Sequence, residues 1–207
     1  MGGGSMCGRM NFNSKHSQII SEFFGCDFSA PSNDNLSPGQ NVATLIQKQD
    51  YFQQLDSLWG IQPNWSKRLL INAQSETVHS KATFKTAMHS HRCLIPCSGW
   101  YEWRTEQGRK QKYLFNHADD EPLLMAGVWY QAKKAESVKS SVVEQGAIST
   151  QLVTLTTSPN EKCQQYHQRM PVFVLPQYRD FWFNAPSTKL SPLFNAIDQE
   201  LIVVKRA

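Results

Sequence analysis

The sequence predicts an α+β fold, a single domain on a curved, mainly antiparallel and barrel-like β-sheet with short flanking helices. Short runs rich in β-branched and aromatic residues recur along the chain, each bounded by Gly, Pro, Asn or Asp. Helical signals are few and short. The length of 207 residues, 40% hydrophobic, suffices for one sizeable core and is short for two.

From the N-terminal end, Ser14 is placed to cap a helix on which Ile19, Ile20, Phe23 and Phe24 recur at helical spacing, and Gly25 stands where it would stop. Residues 26–40, with Pro31, Asn33, Asn35, Pro38 and Gly39, read as a turn-rich loop. Val42–Gln47 and Tyr51–Trp59 form a hairpin about the polar turn Lys48–Asp50. Pro63-Asn64-Trp65-Ser66 is a loop carrying one aromatic among polar residues, and the apolar triplet Leu69-Leu70-Ile71 is a strand that delivers Asn72 at its end. Phe84–Ser90 is a short helix. Cys93–Trp103 is apolar with Pro96 and Gly99 inside it, which predicts an edge or bent strand. Lys112–Phe115, Leu123–Trp129 and Leu152–Thr156 are further strands, with residues 131–147, polar and mixed in charge, as a mobile loop. Ser158-Pro159-Asn160-Glu161 has the chemistry of a helix start, the helix ending near His167, and Pro176–Asn184 is another.

No apolar run approaches the ~20 residues of a membrane helix and no signal-peptide pattern opens the chain, so a cytoplasmic protein is expected. Five cysteines without a regular framework indicate reduced thiols. A formal charge of +4 permits a polyanionic partner without demanding one.

Residues 1–5 are a Gly/Ser run followed directly by a second methionine, the composition of a flexible fusion leader, so the domain is taken as 6–207. Cys7 is then the second residue of the natural chain. Once Met6 is removed it carries a thiol beside an α-amine whose pKa of about 7.7 to 8.0 leaves roughly a tenth uncharged at neutral pH. That pair suits an aldehyde: the amine condenses to a Schiff base and the thiol closes it to a thiazolidine. The alternative is a small, half-buried hydrophobe near the terminus.

Glu102, the only charge between Arg92 and Arg104, shares a strand face with Trp100, while Tyr101 and Trp103 share the other. It points either into an indole-walled pocket, where burial fits it for proton transfer, or to a solvated face. His167 precedes Gln168-Arg169-Met170-Pro171, which sets a ring and a guanidinium over one site or leaves a surface histidine. Asn72 offers an amide to an oxyanion or hydroxyl, or closes a turn. His89, His91, Cys93 and Cys97 would project to one side of an extended strand. Four ligands strung along a strand span more than a tetrahedral ion at ~2.0 to 2.3 Å can gather, so no metal and no cofactor is expected.

Taken together, Met6-Cys7-Gly8-Arg9, Asn35-Leu36-Ser37-Pro38-Gly39, Ile71-Asn72-Ala73 with Glu76-Thr77, Gly99-Trp100-Tyr101-Glu102-Trp103 and His167-Gln168-Arg169-Met170-Pro171 resemble the SRAP (SOS response-associated peptidase) family of abasic-site processing proteins in order and spacing. The resemblance implies a DNA-damage-response enzyme, a monomer acting at the nucleoid, whose partner is single-stranded DNA containing an abasic site. It implies that Cys7 captures the ring-opened aldehyde as a thiazolidine crosslink. It further implies that Glu102 handles protons and assists release of the initiator methionine, that His167 assists sugar opening and reversal, and that Asn72 holds the reacting sugar. Arg9 and Arg169 map onto phosphate contacts, and Pro38 and Trp65 onto groove wall and stacking surface. Two departures concern the DNA groove: Gln74 stands where the family usually has arginine, and Asn64 where a second tryptophan often precedes Trp65. Lys67 and Arg68 are the nearby compensating charges. Two further readings stand beside this one: a thiol (auto)peptidase using Cys7 with His167 and Asn72 or Glu102, and a non-catalytic DNA-binding or partner-binding domain.

Overall fold

The computed structural model describes residues 8–131 and 150–207, and the predicted loop at 131–147 lies almost wholly outside them. The first strand, β1 (Met10–Phe12), falls in a stretch with no strand signal of its own. Asn13, not Ser14, is the cap: its side chain accepts the Lys15 N–H at 3.1 Å, and a 3-10 turn (Ser14–His16) leads into α1 (Ser17–Phe24). Gly25 ends that helix in the left-handed region at φ 60°. Ile20 and Phe24 face the core, whereas Ile19 and Phe23 are exposed, so the buried stripe is narrower than the sequence suggests.

The expected loop at 26–40 contains β2 (Asn33–Leu36). It is a polar strand, held at a sheet edge by pairing with β1 rather than by an apolar pattern. The hairpin forms as expected from β3 (Asn41–Lys48) and β4 (Tyr51–Trp59). The Leu69–Ile71 triplet is not a strand. Leu70 makes only an isolated bridge to Ile61, and β5 (Asn72–Gln74) begins at Asn72 rather than ending there. After α2 (Ala82–Ser90), the apolar run at 93–103 divides at Ser98 into β6 (Arg92–Cys97) and β7 (Gly99–Glu106). These are interior strands of two different sheets, so of the two expectations the run bends, at Ser98, and does not lie at an edge. Ser98 pins the switch. Its N–H donates to the Asn11 carbonyl (2.9 Å), its hydroxyl accepts the Asn13 N–H (2.8 Å) and meets His16 Nδ1 (2.9 Å), and its carbonyl accepts from the Asn116 amide (2.9 Å).

β8 (Arg109–His117), β9 (Leu123–Gln131) and β10 (Thr150–Thr157) extend the predicted strands. The helix expected before His167 is only a 3-10 turn, Cys163–Gln165. The segment β11 (Met170–Pro171), a 3-10 turn at Pro176–Tyr178 running into α3 (Arg179–Asn184), and β12 (Ile202–Arg206) complete the chain.

The α+β, mainly antiparallel prediction holds, with two sheets in place of one. In the larger, β10–β4–β3–β6–β9 close on themselves through a β9–β10 pairing into a ring-like sheet. The smaller is open, in the order β12–β8–β7–β1–β2. Strands of the ring alternate between two cores: Leu45 and Leu94 join α1, α2 and α3 in one, while Ile46, Cys93 and Ile95 join Trp59, Trp100 and Phe115 in the other. Burial on both faces explains why β6 reads as an unbroken apolar run. Cys93 and Cys97 belong to that packing, their thiols pushed up by burial, and the four described cysteines are free.

Candidate active site

β7 sets Trp100 and Glu102 on its inward face, with exposures of 1% and 3%. This selects the pocket over the solvated face. Trp100 stacks on Phe115 (ring centroids 4.7 Å apart, 22° between planes) and leans on Phe173 at 5.1 Å, forming an apolar wall behind the carboxylate. Opposite Glu102 in register stands Tyr113, whose ring meets Tyr166 edge-on at 4.7 Å. Burial pushes the nearby Cys163 thiol up to about 12, with the Glu102 charge a smaller cause in the same direction.

Cys163 is the hub of the next residues. Its N–H is held by Asn160 Oδ1 at 2.8 Å, and its carbonyl accepts the N–H groups of Tyr166 (3.0 Å) and His167 (3.1 Å). Glu102 and His167 thus both neighbour the Cys163 turn. His167 Nδ1 lies 3.1 Å from the Arg169 N–H and 3.2 Å from the Arg169 carbonyl. A ring protonated only on Nε2 accepts from the first, and a ring carrying a proton on Nδ1 donates to the second. Either protonation state is therefore held in place.

β10 positions the remaining groups along its second half, where it leaves β4 and pairs with β5 and β11. Thr154 stands opposite Asn72, and its hydroxyl donates to Asn72 Oδ1 at 2.5 Å. That bond directs the amide oxygen to β10 and turns the NH2 end away. Two residues on, the Thr156 carbonyl accepts Arg169 Nη2 at 2.6 Å, and the same guanidinium grips Glu76 in a fork with bonds of 2.6 and 2.7 Å. Arg169 holds the Glu76 carboxyl below its usual range, and braces the His167 segment to the end of β5.

The N-terminal strand meets this wall. β1 runs antiparallel to β7, with Met10 opposite Trp100, and the Tyr101 N–H donates to the Arg9 carbonyl at 2.9 Å, so Arg9 lies beside the residue that precedes Glu102. Cys7 itself lies outside the described residues. Arg9 Nη1 donates to Asn35 Oδ1 at 2.6 Å, a neutral partner, and Arg9 forms no ion pair among the described residues. Pro38 sits half-buried in the turn closed by the Gln40 N–H to Ser37 carbonyl bond at 3.1 Å. Trp65 is 70% exposed in the loop closed by the Ile61–Leu70 bridge, with Lys67 and Arg68 exposed beside it, and Gln74 is exposed at the end of β5.

The fold thus links Glu102, His167, Asn72 and Arg169 through the Cys163 turn and β10, and places Arg9, Pro38 and Trp65 on surrounding surface segments. Thr154, Thr156, Cys163 and Tyr166 escaped the sequence reading. The alternation Thr154-Leu155-Thr156, which puts two hydroxyls on one strand face, was the signal available for the first two.

The family profile described as SOS response associated peptidase (SRAP) matches residues 6–206. The chain belongs to the SRAP family. Among curated SRAP relatives, the abasic site processing protein YoqW of Bacillus subtilis is 29% identical over 194 residues, covering 88% of this chain and 82% of that one. The abasic site processing protein YedK of Escherichia coli is 27% identical over 149 residues, 72% of this chain and 63% of that one. A crystal structure of a protein from Bordetella bronchiseptica has the same SRAP fold, with a TM-score of 0.80 at 22% identity over 97% of this chain and 99% of that one.

Proposed function

We propose that this SRAP protein processes abasic sites in single-stranded DNA by forming a thiazolidine crosslink through Cys7, once the residues ahead of it are removed. The observation that carries the reading is the buried Glu102 on β7, the strand against which β1 pairs through Met10 and Asn11. The names of the curated relatives support the substrate.

In this mechanism His167 helps open the deoxyribose by moving the proton between the anomeric hydroxyl and the ring oxygen, exposing the C1′ aldehyde. The uncharged α-amine of Cys7 adds to that carbon. Glu102 takes the proton the nitrogen sheds and returns one to the carbinolamine oxygen, which leaves as water and gives the imine. The Cys7 sulfur then adds to the imine carbon, its proton passing to nitrogen, and the five-membered ring is closed. Asn72, its oxygen tied to Thr154, presents its NH2 group to a sugar hydroxyl. Trp65 stacks a flanking base, and Arg9 and Arg169 hold phosphates, Arg169 by exchanging part of its grip on Glu76; Pro38 forms the groove wall. The family description favours a second activity at the same site, peptide hydrolysis that removes Met6 and frees the amine.

The test is intact-mass analysis after incubation with an abasic strand. With Met1 to Met6 attached, the nitrogen of Cys7 is an amide whose lone pair is delocalised, and no stable adduct forms. Protein cut so that Cys7 comes first gains the mass of the strand less one water. A stable adduct on protein still carrying residues 1–6 overturns the reading. Spontaneous loss of those residues identifies the self-processing activity.

A further inference from the structure

The open sheet carries one face from the Glu102 wall out to the tip of the β7–β8 hairpin. Glu102 stands opposite Tyr113, Arg104 opposite Gln111 and Glu106 opposite Arg109, and Arg206 on β12 is opposite Tyr113, so these side chains project to one side. The tip is the two-residue turn Gln107-Gly108, both at positive φ (47° and 77°), the tight geometry that keeps the two strands in fixed register. At this end Arg104, Arg109, Lys110 and Arg206 line an open cavity of about 870 Å3, with Glu106 as its one carboxylate.

That carboxylate is already engaged, accepting from both the Arg104 guanidinium and the Tyr113 hydroxyl. Arg109, Lys110 and Arg206 are exposed and form no ion pair among the described residues. One carboxylate thus answers the four cations that line the cavity, the Arg206 charge included, and an anion there relieves the repulsion left among them. The cavity is shallow, open and polar, which fits an extended polyanion better than an enclosed small molecule. It also joins the candidate active site: Arg104 lies over the Tyr166 ring at 4.7 Å, and Tyr166 directly precedes His167.

We propose that this basic cradle receives backbone phosphates of the same DNA strand where it leaves the lesion site over Arg104. The inference rests on the proposed single-stranded DNA substrate. It names a second stretch of contact, formed by Arg109, Lys110 and Arg206, that compensates for the neutral Gln74.

Fluorescence anisotropy with an undamaged single-stranded oligonucleotide, repeated across salt concentrations, tests it. Each phosphate neutralised contributes ~0.7 to the slope of log affinity against log salt, so the combined Arg109→Ala, Lys110→Ala and Arg206→Ala variant should lose about 2 from the slope. The variant Arg109→Lys, Lys110→Arg and Arg206→Lys should keep it. Neutralising three exposed lysines that do not line the cavity, Lys48, Lys85 and Lys189, should leave the slope in place. An unchanged slope in the cradle variant, or an equal loss in the lysine control, overturns the proposal. A parallel measurement of crosslinking by the processed wild-type protein separates the two ideas: a wild type that crosslinks while the cradle variant keeps its slope sinks the cradle alone. A wild type that never crosslinks while the cradle variant loses slope keeps the cradle and sinks the crosslinking reading.

Discussion

In the proposed mechanism, replacing Glu102 by Gln removes a proton-transfer group while keeping the size and shape of the side chain. The amide matches the carboxylate in shape and fits the same slot between the Trp100 wall and Tyr113, but it can neither take the proton shed by the attacking amine nor return it to the departing oxygen. General acid–base catalysis by a placed side chain contributes ~10²- to 10⁴-fold. With Glu102 only 3% exposed, bulk water and buffer substitute for it poorly, which sets the expected loss at the lower figure or more. That corresponds to about 2.7 kcal/mol of barrier at about 1.36 kcal/mol per tenfold. The assay is a single-turnover time course with processed protein in excess over an abasic strand, read as the fraction of strand retained with protein after heating. Melting curves for both proteins show that the fold survives. A Glu102→Gln protein that crosslinks within about threefold of wild type, well inside the ~10² expected of a proton-transfer group, would refute the assignment and leave Glu102 as a structural carboxylate.

Other perturbations probe the frame around it. Trp65→Ala should change stability by less than about 0.5 kcal/mol, because the indole is 70% exposed, yet weaken single-strand affinity by ~1–3 kcal/mol, as read by anisotropy. A cost appearing in the melt instead would make Trp65 a packing residue. Burial is the main reason His16 sits below its usual 6.5, so protonation opposes the fold: its contribution is complete above that pH and is lost as pH falls through the lowered value. Melting temperature should drop more steeply from neutral to mildly acidic pH in wild type than in His16→Gln, and parallel profiles would contradict this. Gly99→Ala would set a Cβ 2.3 Å from the Phe115 carbonyl oxygen and 2.7 Å from the Asn116 amide nitrogen. Such overpacking costs about 2–3 kcal/mol and lowers the melting midpoint by roughly 5–10 °C, and calorimetry showing no drop would be inconsistent with the close strand approach.

Much of this architecture was readable from local chemistry. Gly25 stops α1, Gln49 at positive φ (55°) turns the β3–β4 hairpin, and alternation around Glu102 placed it beside Trp100 because period-2 geometry is independent of context. Where partners decide, the reading ran out. β1 and β2 are strands because each supplies the other's hydrogen bonds, and the polar Asn33-Asp34-Asn35 offers no apolar signal for it. The break at Ser98 is hidden because both flanks are buried. At the site, the types Asn, Glu, His and Arg announced themselves, but the fork from Arg169 to Glu76 joins residues far apart in sequence, and nothing short of the folded chain reveals that a charge is already engaged.

The pinned crossing at Ser98 has a consequence for how errors are tolerated. A strand has only two sides, so sliding β7 by a single position would not shift Glu102 slightly but would turn it to the opposite face, now held by Tyr101 and Trp103, and bring those rings to the Trp100 side. Graded loosening is unavailable; the carboxylate is either in place or lost. The four bonds to Asn11, Asn13, His16 and Asn116 act as a keyed joint, and they lie outside the chemistry they protect. Damage there would be silent in any inventory of the proposed reacting groups, yet would displace Glu102 as surely as a substitution at Glu102 itself.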